Sequence, residues 1–175
     1  MAQKENNIIP MIFDEAFYRK MATQKWRQQD YKKAAEYYEK VLELSPEDFD
    51  IQQHYAQCLV KLNIGKKAEH LFYENIVKDF HVAESFYELS QLNIELNEPN
   101  KAFLFGINYV ILSDDKDFRE MLEKTFEVTY TNEQKIELEA QLFSTQLLFQ
   151  FLFSQGRLEE ARTYISVSYT HLTLP

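Results

Sequence analysis

The sequence predicts an all-α fold, an α-solenoid of antiparallel helix pairs, and three recurring columns of residues carry that prediction. Ala34, Ala68 and Ala102 stand 34 residues apart, twice in succession. The small residue twelve positions earlier recurs with them, as Ala22, Ala56 and Ser90. Large apolar residues recur eight positions later, as Leu42, Ile76 and Val110. An aromatic lies four positions after the first two alanines, as Tyr38 and Phe72, whereas Gly106 takes the third place. A period of 34 residues is the length of a helix–turn–helix unit. Each such unit has an apolar face that it cannot bury alone, so neighbours stack and the chain becomes a solenoid.

Taken in order, the chain opens on a polar extension over 1–14, followed by three units at about 15–48, 49–82 and 83–116. In 31–44, Tyr31, Ala34, Ala35, Tyr38, Val41 and Leu42 form one helical stripe, with Lys32, Lys33, Glu36, Glu39 and Lys40 around it. Ser45-Pro46-Glu47-Asp48 ends that helix, with Pro46 suited to the first turn of the next one and Ser45 to its cap. Asn63-Ile64-Gly65 marks a second break, where glycine is expected to take the left-handed turn. Asn97-Glu98-Pro99-Asn100 marks a third. The small residues at 22, 34, 56, 68, 90 and 102 let paired backbones approach closely.

These residues resemble the tetratricopeptide repeat family. Tyr18, Ala22, Tyr31, Ala34, Tyr38 and Pro46 fall where the family pattern asks for those types, and "QDYKKAAEYYEKVLELSPED" is the most specific stretch. The second unit matches through Ala56, Leu59, Ala68 and Phe72, the third more loosely through Phe86, Leu89, Ser90 and Ala102. Val41, Asn75 and Tyr109 occupy a place that the family usually gives to alanine, which implies wider splay of those helix pairs.

After Leu112 the phase breaks. Ala161 in "SQGRLEEARTYI" is similar to the next second-helix alanine, but it lies 59 residues after Ala102, so about 25 extra residues intervene within 114–166. Ser113-Asp114-Asp115 opens a helix expected over 117–128, with acids near its positive end. Thr131 with Gln134 reads as a capping box for a long helix to about Ser154. Both this helix and the one at 100–112 are apolar on nearly every side, and a helix apolar all round is usually buried all round. The inserted segment is therefore expected to cover the outer face of 100–112. The face at 143–153 is expected to be buried, with a protein-binding or self-association patch as the alternative. The last nine residues, "VSYTHLTLP", carry no charge, no helical period and no relation to the repeat, and they are similar to an in-frame sequencing-adapter read-through. That reading makes 167–175 a non-native tail and the chain a fragment truncated near Ile165.

Composition narrows the function. Hydrophobic residues make up 45% of the chain, enough for a sizeable core. The net charge of −9 offers no basic stripe for phosphates, so nucleic acid is not an expected partner. Cys58 is the one cysteine, which excludes an internal disulfide framework. The polar N-terminal run has no signal-like apolar core, and Gly106, Asn108, Gln146 and Gln150 interrupt the most apolar stretches; the expectation is a cytoplasmic protein with no membrane span. His54, His70 and His81 show no paired ligand spacing, and three glycines supply no phosphate loop, so no catalytic residue, metal or cofactor is assigned.

What the resemblance implies instead is a concave groove, lined by the first helix of each unit, that holds a segment of a partner protein. Carried over by repeat position, the lining residues are Arg19, Thr23 and Trp26, then Gln53, Gln57 and Val60, then Tyr87, Gln91 and Ile94. Members that clamp a C-terminal carboxylate use lysine, arginine and asparagine there; here Glu84, Glu88 and His54 stand in those places, so an anionic C-terminus is a poor ligand. The expected role is a non-enzymatic scaffold or adaptor. The alternative is the docking or regulatory arm of a larger protein whose active part lies beyond the truncation.

Overall fold

A computed structural model describes residues 14–127 and 133–172, which form nine α-helices and no strand. Three hairpins come first: α1 Glu15–Arg27 with α2 Tyr31–Leu44, α3 Phe49–Lys61 with α4 Gly65–Val77, and α5 Val82–Glu95 with α6 Pro99–Ser113. Then follow α7 Lys116–Phe126, α8 Glu133–Ser154 and α9 Leu158–Leu172, the last running into the segment read above as a tail. Each hairpin packs internally, and each second helix packs on the first helix of the next unit. This is the helical solenoid that the period predicts.

Local chemistry explains the boundaries. Asp14, Asp30, Asp48 and Asp115 each accept a hydrogen bond from the amide three residues on (2.8–3.3 Å), satisfying donors that a helix start leaves orphaned. Two expectations are corrected here. Asp48, not Ser45, caps α3, because Ser45 is engaged elsewhere, donating to Glu15 Oε2 at 2.7 Å. Gly65 does not take the left-handed turn; Asn63 does, at φ 58°, and Gly65 begins α4. A Cβ on Gly65 would lie 3.1 Å from Leu92 Cδ1, so close approach to α5 is what favours glycine there. Thr131 and its capping box lie outside the described residues.

The turn residues repeat with the alanines. Gln29, Asn63 and Asn97, again 34 apart, have φ of 59°, 58° and 57°. Gly156, at φ 73°, lies 59 residues after Asn97, the same offset that separates Ala161 from Ala102. The α8–α9 hairpin thus repeats the turn geometry of the earlier units after an insertion. Ala22, Ala34, Ala56, Ala68, Ser90, Ala102 and Ala161 are all buried, together with Tyr38 and Phe72, while Pro46 is exposed in its turn. Ser90 turns its small polar side chain to use, donating to the Ala102 carbonyl at 2.8 Å.

The insertion resolves the excess of apolar surface on α6. Helix α7 packs on it from one side and α8 from another, while α5 holds a third. Ile107, Val110, Phe118, Leu122 and Ala140 form a core of their own there. The α8 segment 143–153 turns Leu148, Phe151 and Leu152 inward, and Phe151 meets Tyr73 and His70 of α4 at 5.3 and 5.4 Å. Burial accounts for most of that face; Phe153 stays 59% exposed.

The C-terminal hairpin is also clasped electrostatically to the second unit. Arg157 pairs with Glu74 and, at 2.7 Å, with Glu160; Lys78 reaches Glu160 at 3.0 Å. Hydrogen bonds from Arg157 and Lys78 hold the Glu160 carboxyl down at about 2.

Candidate groove and its residues

The nine residues assigned to the groove fall on α1, α3 and α5, and their surroundings differ. On α1, Arg19 is held by Glu15 at 2.6 Å and by Asp48, so it anchors the first unit to the turn before α3. Thr23 is exposed, its hydroxyl donating to the Arg19 carbonyl at 3.0 Å. Trp26 is half-buried, edge-on to Tyr31 at 5.2 Å and tilted toward His54 at 6.5 Å.

Gln53 is only 4% exposed, which places it inside the array in this structure. Gln52 Nε2 donates to the Leu71 carbonyl at 3.3 Å and to Asn75 Oδ1 at 2.8 Å. The backbone carbonyl fixes which end of Gln52 points there. Asn75 must then present its nitrogen to Gln53 Oε1, at 2.6 Å, and Ser85 donates to the same oxygen at 3.2 Å. Gln53 Nε2 is left buried without a partner. Asn75 is therefore accommodated in an alanine place by a polar network that joins α3, α4 and α5.

The remaining residues are half-buried or exposed on α3 and α5. Gln57 donates to Glu88 Oε1 at 3.0 Å, linking α3 to α5, and burial pushes the Glu88 carboxyl above the usual range despite that bond. Val60 and Gln91 are half-buried, and Ile94 is exposed. Tyr87 is exposed on one side, while its ring meets Tyr109 and the α7 residue Phe118, both at 5.3 Å. Phe118 was not among the sequence-assigned residues. Its position beside Tyr87 follows from how the insertion folds back, which the 34-residue period does not encode.

Among the described residues no cluster of histidine, cysteine and carboxylate could hold a metal, and no helix is long and apolar enough to cross a membrane. Burial pushes the Cys58 thiol up to about 12, so it packs as a small apolar side chain.

Residues 25–72 match the family model for the tetratricopeptide repeat. Two solved structures, both crystal structures of MamA, are similar in fold. One aligns with a TM-score of 0.56 at 18% identity, over 88% of this chain and 89% of that one. The other aligns with a TM-score of 0.50 at 18% identity, over 91% and 95%. No curated protein matches the sequence.

Proposed function

Since residues 25–72 match the tetratricopeptide repeat within a helical solenoid, we propose that the chain acts as a protein-interaction scaffold, holding a segment of a partner protein along α3 and α5. The observation that carries this reading is the partial exposure of Gln57, Val60, Tyr87, Gln91 and Ile94 on α3 and α5, two helices joined by the Gln57–Glu88 hydrogen bond. These residues combine amides able to bond a peptide backbone with aromatic and aliphatic anchors. Glu84 is exposed and Glu88 half-buried on α5, and the chain carries a net charge of −9. Both favour a neutral or basic segment over an anionic one. Arg19, the one cation among the nine assigned groove residues, is occupied by two carboxylates and is not free to take a carboxylate ligand.

The test is selection from a random-peptide library on the purified chain, followed by affinity measurement. Selected peptides are expected to be depleted in acidic residues and to bind Gln57→Ala/Ile94→Asp at least tenfold more weakly, with helicity unchanged. Tyr87 is left alone because its ring also packs on Phe118. Undiminished binding to the double variant would refute the groove assignment.

A further inference from the structure

A cavity of about 730 Å³ opens where the C-terminal hairpin leaves the repeat array. Its walls come from the end of α4, the start of α5, the second half of α6, and from α8 and α9. None of the nine groove residues lines it. The body of the cavity is apolar, with Ile76, Val82, Phe86, Ile111 and Tyr164 facing it. This is the size and composition of a small-molecule site: an apolar chamber with few, placed polar groups.

The polar floor is specific. Asn108 lines the cavity and is 5% exposed. Its amide nitrogen spends both hydrogens on the carbonyls of Leu104 and Ala140, at 2.8 and 2.9 Å. Its oxygen faces only the Ser144 hydroxyl, at a long 3.4 Å, and that hydroxyl lies nearer the Gln141 carbonyl, at 3.0 Å. A serine has one hydrogen to donate, so in the shorter arrangement Asn108 Oδ1 is a buried acceptor without a donor. Such a group gains from any ligand that brings it an N–H or O–H.

The rim sets the charge. Asp79, Glu159 and Glu160 stand around it, against Lys78, which is engaged by Glu160. The surplus is negative.

We propose that this cavity binds a small amphiphile with an aromatic or aliphatic body and a hydrogen-bond-donating head, neutral or cationic, whose head meets Asn108 Oδ1. A carboxylate head is disfavoured twice, because it offers no hydrogen to the amide oxygen and is repelled by the rim. Val167 and Ser168 also line the cavity, while its apolar body, Asn108 and the acidic side chains come from residues 76–164.

The experiment titrates the full chain by calorimetry with 2-naphthaleneethylamine, 2-naphthaleneethanol and 2-naphthaleneacetate, which share a body and differ in the head. The amine and the alcohol are expected to bind one per chain, the acetate at least tenfold more weakly. Thr163→Trp and Leu112→Trp, both substituted at exposed positions of the wall, are expected to fill the cavity and weaken the amine at least tenfold while leaving helicity unchanged. Absence of binding by all three probes would overturn the site. Equal binding to both tryptophan variants would also overturn it, and acetate binding as tight as the amine would overturn the head-group assignment.

Discussion

Gly106 shows how a single position can carry the shape of the molecule. It stands where the first two units have Tyr38 and Phe72, and the sequence alone shows it only as a departure from the pattern. In the structure a Cβ there would lie 2.7 and 2.8 Å from the two Leu122 methyls and 3.0 Å from Ser90 Oγ. The missing side chain is the seat for α7. Alanine in a helix normally gains about 0.5–1 kcal/mol over glycine, but overpacking a filled site costs about 1–3 kcal/mol. Gly106→Ala is therefore expected to lower the urea midpoint, and in a Leu122→Ala background the same substitution is expected to raise it. No change of sign between the two backgrounds would mean that Leu122 does not set the requirement. Asn75 is the counterpart at the polar end of chemistry. Its departure from alanine is visible in the sequence, but the network that accommodates it, Gln52 and Gln53 of α3 with Ser85 of α5 bonded to Gln53, spans separate helices, and no spacing rule links them.

At the scale of elements, the helices that follow a repeating stripe are readable from the chain, because a 3.6-residue period with capping aspartates states both where a helix lies and which side is buried. Helix α6 is readable for another reason: it is apolar on nearly every side, and three helices surround it. What does not follow from pattern is which helix covers which. Helix α8 reads from the sequence as wide apolar surface in need of cover, and its placement depends on contacts across long separations, to α6 through Asn108–Ala140 and to α4 through Tyr73–Phe151. The clasp on α9 makes that placement sensitive to acid. Glu160 titrates near 2 in the fold, below the ordinary 4.5. A depressed carboxyl stabilises the fold above its unfolded value, and that contribution is lost as pH falls from about 4.5 toward 2. The pairs are partly exposed, so the effect is at most about 1 kcal/mol. Stability measured by urea between pH 5 and 2.5 is expected to fall less steeply in Glu160→Gln than in the parent chain. Parallel curves would show that the clasp contributes nothing.

At the scale of the whole molecule, the solenoid was legible because its period is written three times, and the insertion because the fourth alanine arrives 25 residues late. The closure of the array was not. In a regular solenoid each unit contacts only its neighbours, and unfolding proceeds from the ends. Here the last hairpin also grips the second unit through Glu74, Lys78 and Phe151. Native-state hydrogen exchange is expected to show α1–α2 opening first, with α3 to α9 protected together, and Arg157→Ala is expected to release α8–α9 from that group. Independent opening of α9 in the parent chain would exclude such coupling. The same grip has a consequence for how the protein is made. A linear stack can settle unit by unit as it leaves the ribosome, but Glu74 must wait for Arg157, 83 residues later in synthesis. Until then the apolar flank of α4, with Tyr73 beside it, emerges uncovered, so the nascent chain passes through an interval in which chaperone capture competes with completion of the fold.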